Sequence, residues 1–110
     1  MNSSEVINQQ RAAKIAALND RFRGMAIDVM ITPGVRDLPQ VIELMKAVES
    51  FDWFNEDNDP YGEHDFGSLA WSGEKIFWKI SYYDSELKYG ADPLDPKCRR
   101  VLTIMLAEEY

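Results

Sequence analysis

Apolar residues recur along the chain first at helical spacing, then in alternation, then at helical spacing again. Ile7, Ile15, Leu18 and Phe22 lie near one stripe with alanines between them, which predicts a helix over 4–23. Asn2, Ser3 and Ser4 are candidate N-caps, Asn2 and Glu5 have capping-box spacing, and Gly24 after basic Arg23 is a stop signal. Residues 25–31 alternate, with Ile27, Val29 and Ile31 on one side, and predict a strand ended by Thr32-Pro33-Gly34. A second helix is expected over 38–50, with Pro39 in its first turn and Val41, Leu44, Met45 and Val48 on its apolar face. A β-hairpin follows: a strand over 68–71, a Ser72-Gly73 turn, and a longer strand over 75–83 whose Ile76, Trp78, Ile80 and Tyr82 share a face. Asp95-Pro96 reads as an N-cap followed by an N1 proline. With Val101, Leu102, Met105 and Leu106 as its stripe, a last helix is predicted over 96–108.

This order, α-β-α-β-β-α, predicts an α+β fold: a single small domain of about three strands, including a hairpin, packed by helices. Its 110 residues suffice for one core. The organisation divides into an N-terminal basic helix over 1–24 and an α+β domain over 25–110. One cysteine, Cys98, excludes an internal disulfide and fits a reducing compartment. With no apolar run of membrane length and no secretory leader pattern, the expectation is a cytoplasmic protein with no membrane role.

Charge changes the picture. The chain carries 19 acids against 12 bases, a net of −7. Residues 1–24 hold four bases and two acids, whereas residues 47–74 hold eight acids and no Lys or Arg. Overall acidity argues against direct nucleic-acid binding and suits a protein partner with a basic surface. Within the acidic stretch, 52–65 reads DWFNEDNDPYGEHD, a loop by its Asn, Asp, Pro and Gly. Trp53, Phe54 and Tyr61 are poor linker residues, so the loop is expected to be ordered and clamped to the body by its rings.

Three chemistries compete for this loop. Asp57, Asp59 and Gly62 match positions one, three and six of an EF-hand, but Tyr61 and Ser68 occupy ligand positions, so the motif fails. One His and one Cys are too few for an ordinary zinc site, and no metal or cofactor is expected. His64 between Glu63 and Asp65 is a candidate acid–base residue, although no GxSxG, phosphate loop or dinucleotide fingerprint accompanies it. Cys98 between Lys97 and Arg99 lacks a partnered His in the sequence. The bland alternative is that Asn, Asp, Pro, Gly and His simply hold turns. The third reading makes Trp53, Phe54, Asp57, Asp59, Tyr61, Glu63, His64 and Asp65 a partner-binding surface, with aromatics as anchors and carboxylates facing a basic groove.

The strings NDPYGEHDFG (58–67), FWKISYYD (77–84), ADPLDP (91–96) and RRVLTIMLAEEY (99–110) resemble a small bacterial family of unknown function, common on plasmids and other mobile elements. The resemblance covers roughly residues 25–110. Two positions depart from the family pattern: Ser81 stands where Asp is usual, and Lys97-Cys98 where Thr is usual. The resemblance supplies no activity. It implies a setting in which genes often counter host defences. Charge, loop composition and this resemblance together favour a small acidic, non-enzymatic binding protein of a mobile element. Its most concrete form is an inhibitor of a nuclease or CRISPR complex, of anti-CRISPR or anti-restriction type. A hydrolase-like enzyme using His64 and nearby carboxylates is the alternative, and a structural accessory subunit is a third. The basic first helix leaves a homodimer open.

Overall fold

The computed structural model describes residues 2–110. Helix α1 spans Ser3–Met25, and the Asn2 side chain accepts from the Glu5 N–H at 2.9 Å, as the capping spacing predicts. The helix runs past Gly24 and ends at Ala26, whose left-handed φ of 53° returns its N–H to the Arg23 carbonyl. Asp28 is also left-handed, so β1 is short, Val29–Ile31. The strand expected over 25–31 is thus corrected at its start: residue 25 is helical and Ile27 is exposed ahead of the strand. The expected stripe of α1 is half used. Ile15 and Phe22 are buried with Ala16, Asn19 and Arg23, while Ile7 and Leu18 face solvent.

Thr32-Pro33-Gly34 does end β1, but it also opens a one-turn helix, α2, Pro33–Arg36. Helix α3 is Val41–Glu49, with Gln40 left-handed at its N-cap. Pro39 precedes the first turn instead of entering it, which trims the helix expected from residue 38. Strands β2, Phe66–Trp71, and β3, Glu74–Tyr83, form the expected antiparallel hairpin. Ser72 and Gly73 between them have φ of 51° and 79°, the pair of positive values that a type I′ turn requires.

The largest correction lies after Pro96. The helix expected over 96–108 is strand β4, Arg99–Leu106, followed by one 3₁₀ turn, Ala107–Glu109. Asp95 caps no helix; its carboxylate accepts from the Lys97 N–H in a turn. The sheet has four strands where about three were expected, in the order β1-β4-β3-β2. β4 is parallel to β1 and antiparallel to β3. An interior strand with apolar residues on both faces reads as a near-continuous hydrophobic run, and such a run imitates helical spacing. Here Leu102 and Ile104 are buried on one face and Met105 on the other. The fold class is α+β, in the order α-β-α-α-β-β-β.

Buried apolar residues from all three helices gather on one face of the sheet. Phe22, Val35, Leu44 and Val48 pack on Ile76, Trp78, Ile80, Leu102 and Ile104. Full burial of one such side chain contributes about 1.5–3 kcal/mol. Trp78 lies at the centre, and Gly67 lets β2 approach it: a Cβ there would stand 2.5 Å from the indole nitrogen. Among the described residues, no helix is long and apolar enough to cross a membrane.

Candidate functional site

The loop between α3 and β2 is a built structure. Asn55 Oδ1 accepts from the N–H groups of Asp57 and Asn58, at 2.8 and 3.0 Å. Asn58 answers with Oδ1 accepting from the Asn55 N–H and Nδ2 donating to the Trp53 carbonyl, both at 2.8 Å. Short polar side chains thus supply the partners that a loop backbone lacks. Phe54 is the root. Its ring stacks on His64 at 3.8 Å and meets Phe51 and Trp78 edge-on at 5.2 and 6.1 Å. The other two rings do not clamp the loop. Trp53 is 70% exposed and Tyr61 80% exposed, and Asp52, Glu56 and Asp57 beside them are also exposed.

The end of the loop turns inward. The Asp59 side chain is only 7% exposed; it accepts from the His64 N–H at 3.3 Å and lies 3.6 Å from His64 Nε2. His64 Nδ1 sits 3.0 Å from the Asp20 carboxylate on α1. His64 itself has φ of 55°, a backbone bend held by contacts on both sides of its ring. Both ring nitrogens therefore face carboxylates.

Asn19, fully buried on α1, is the hub behind them. Its Nδ2 donates to the Glu63 carbonyl and to the Tyr82 hydroxyl, both at 2.9 Å, and its Oδ1 accepts from Arg100 Nε at 2.7 Å. The Tyr82 hydroxyl in turn donates to Asp65 at 3.2 Å. Burial raises the pKa of Asp65 and Glu63 above the usual carboxylate values and raises that of Tyr82. Arg23, with its side chain 4% exposed, lies 4.7 Å over the Trp78 ring and donates to the Phe51 carbonyl. Burial lowers its pKa, against the opposing pull of Asp20.

A groove of about 560 Å³ separates α1 from the loop, lined by Asn8, Ala12, Phe54, Asp59, Tyr61 and His64 among others. Among the described residues, no Ser, Thr or Cys lines it. Cys98 lies away from it, just before β4. Among the described residues, no group of three or more His, Cys, Asp or Glu side chains has the arrangement of a metal site.

The eight sequence-predicted residues thus sort by position. Trp53, Asp57 and Tyr61 are exposed; Phe54, Asp59, Glu63, His64 and Asp65 are turned toward the body. Asn19, Asp20, Arg23, Tyr82 and Arg100, which hold the inner group, lie outside the sequence-predicted set. The available signal was Asn19 itself, a polar residue on the same helical stripe as Ile15 and Phe22.

Fold and site together define a small α+β domain with a four-stranded mixed sheet and a scaffolded acidic loop. The chain belongs to the family described as "Protein of unknown function (DUF3768)", whose model matches residues 31–109. The matched residues include the whole 52–65 loop and the β2–β3–β4 part of the sheet. No curated protein and no solved structure matches the chain.

Proposed function

We propose that this protein is a non-enzymatic binding protein whose acidic loop enters a basic surface on a protein partner. The observation that carries this is the exposure of Trp53 and Tyr61 on a loop already ordered by its own Asn55 and Asn58 bonds. A preorganised loop loses little conformational entropy on binding, and exposed aromatics are the side chains enriched at interface hot spots. Asp52, Glu56 and Asp57 surround them with negative charge. In its finer form the protein acts in the cytoplasm for a mobile element. It inhibits a host nucleic-acid-binding defence complex of CRISPR or restriction type, its carboxylates standing in for phosphates. The resemblance to a family carried on mobile elements motivates that setting.

The test is affinity capture from bacterial lysate with wild type and two variants, Trp53→Ala and the triple Asp52→Asn/Glu56→Gln/Asp57→Asn. A nuclease complex recovered by wild type, lost with either variant and weakened by salt, is the expected result. Equal recovery by all three folded proteins overturns the acidic-loop reading.

One observation favours a hydrolase-like alternative: His64 lines the groove and is paired with Asp20. Against it, the second ring nitrogen faces Asp59, so both nitrogens are already turned to carboxylates. In this reading His64→Gln abolishes turnover of ester or phosphodiester test substrates by the wild-type protein. In the binding reading there is no turnover to lose.

A further inference from the structure

The helices cover one face of the sheet, and the opposite face has a composition unlike the rest of the molecule. Strand pairing places Phe66, Ser68 and Ala70 of β2 there, with Lys75, Phe77, Lys79, Ser81 and Tyr83 of β3. Arg99, Val101, Thr103 and Met105 of β4 and Met30 of β1 complete it. In a chain of net charge −7, the three charged strand positions on this face, Lys75, Lys79 and Arg99, are all basic.

Their spacing is regular. Lys75 and Lys79 are four residues apart on β3, and Arg99 pairs with Tyr83, four residues further on. At ~3.3 Å per residue this is a row of cations about 13 Å apart. Rings stand between them. Phe66 and Phe77 meet at 5.0 Å, and Tyr110, 73% exposed, stands edge-on to both at 6.0 and 5.7 Å. Lys75 and Lys79 already lie over aromatic rings, 5.3 Å from Phe77 and 5.7 Å from Tyr110. Arg99 forms an exposed ion pair with Asp28 at the rim, at 3.7 Å, and exposed pairs of this kind are weak enough for a phosphate to compete for the guanidinium.

We infer that this open sheet face binds single-stranded RNA, with bases stacking on Tyr110 and the Phe66–Phe77 pair and phosphates meeting the Lys75–Lys79–Arg99 row. Charge complementarity selects a polyanion, and the interleaved rings select one with exposed bases, not a duplex or a membrane surface. The hydroxyls of Ser68, Ser81 and Thr103 between the rings offer donors and acceptors to 2′-hydroxyls, which DNA lacks. The overall acidity that argues against nucleic acid is an average over the surface. The eight acids of 47–74 are concentrated largely in the loop, and ionic screening over about 10 Å at 0.1 M salt separates distant charges. This site is independent of the loop's proposed protein partner.

The experiment is fluorescence anisotropy at low ionic strength with a labelled mixed-sequence RNA of roughly eight nucleotides, within the usual size of a single-strand site. Three phosphate contacts predict that log K falls with log salt at a slope of about −2. Tyr110→Ala, at an exposed ring, is expected to weaken binding roughly tenfold. Lys79→Ala is expected to flatten the salt slope, whereas Asp57→Asn leaves binding intact. Thermal melting checks that each variant is folded. Absence of RNA binding by wild type overturns the inference. So does equal affinity for the matching single-stranded DNA or duplex, or an unchanged affinity in both Tyr110→Ala and Lys79→Ala.

Discussion

The acidic segment has an outer arm and an inner arm built from the same residue types. Asp57 and Asp59 are two residues apart. Asp57 projects into solvent, while Asp59 is enclosed and holds the His64 backbone. Trp53 and Phe54 are adjacent, yet one is exposed and the other is stacked on His64 against the core. The difference is made by α1, which supplies Asp20 and Asn19 to the inner arm and gives the outer arm no such partner. Local composition marks a loop as acidic; partners distant in sequence decide which acids are available to a ligand.

The most severe test of this division is Asn19→Leu. It leaves Arg100 Nε and the Glu63 carbonyl without their buried partner and is expected to cost about 2–4 kcal/mol, read from the urea midpoint. A loss near zero would mean that the inner arm does not depend on α1.

Asp59→Ala comes next. Removing the acceptor for the His64 N–H in a part-buried setting should cost about 1–2 kcal/mol. The same substitution at Asp57 should be nearly silent, and equal effects at the two positions would erase the distinction between the arms.

Asp65→Asn sharpens the comparison through pH. Burial raises the folded pKa of Asp65, so its favourable contribution is complete below the unfolded value and is lost as pH rises through the folded value. Asparagine keeps an acceptor for the Tyr82 hydroxyl and carries no charge. The variant should therefore melt at or above wild type at neutral pH, and the gap should close as the solution becomes acidic. A wild type clearly more stable than the variant at neutral pH would show the buried carboxylate to be a net stabiliser.

The smallest stability effect belongs to the outer arm. Asp52→Asn/Glu56→Gln/Asp57→Asn should shift stability by no more than about 0.5 kcal/mol, because exposed charges contribute little to folding. Unfolding of this triple variant would make the outer arm structural and remove the premise of the proposed binding loop.

Much of the fold was legible in residue periodicity: α1 with its Asn2 cap, the hairpin and its Ser72-Gly73 turn, and the body of α3. The last strand was not. Val101, Leu102, Met105 and Leu106 satisfy a helical stripe, and only the sheet explains why Val101 and Met105 face away from Leu102 and Ile104. The β-branched Val101, Thr103 and Ile104 were the contrary signal. At the site, the aromatic and acidic content of 52–65 was readable, but its sorting into two arms was not. That sorting depends on contacts spanning tens of residues, such as Asn19 to Glu63 and Asn19 to Arg100, which no local pattern encodes.

Strand order also dictates an order of assembly. The hairpin of β2 and β3 is local and can close as soon as both strands exist. β1 has no hydrogen-bonded strand neighbour in the sheet except β4, so Val29 must wait for Leu102. Closing so long a loop is entropically costly and slows folding. A growing chain that has not yet reached Arg99 therefore holds a hairpin and helices whose apolar sides lack the strand that joins them. Until residues 99–106 emerge, Ile76, Trp78 and Ile80 have an open flank, and an unpaired strand edge of this kind is what exposes a folding intermediate to strand exchange with its neighbours.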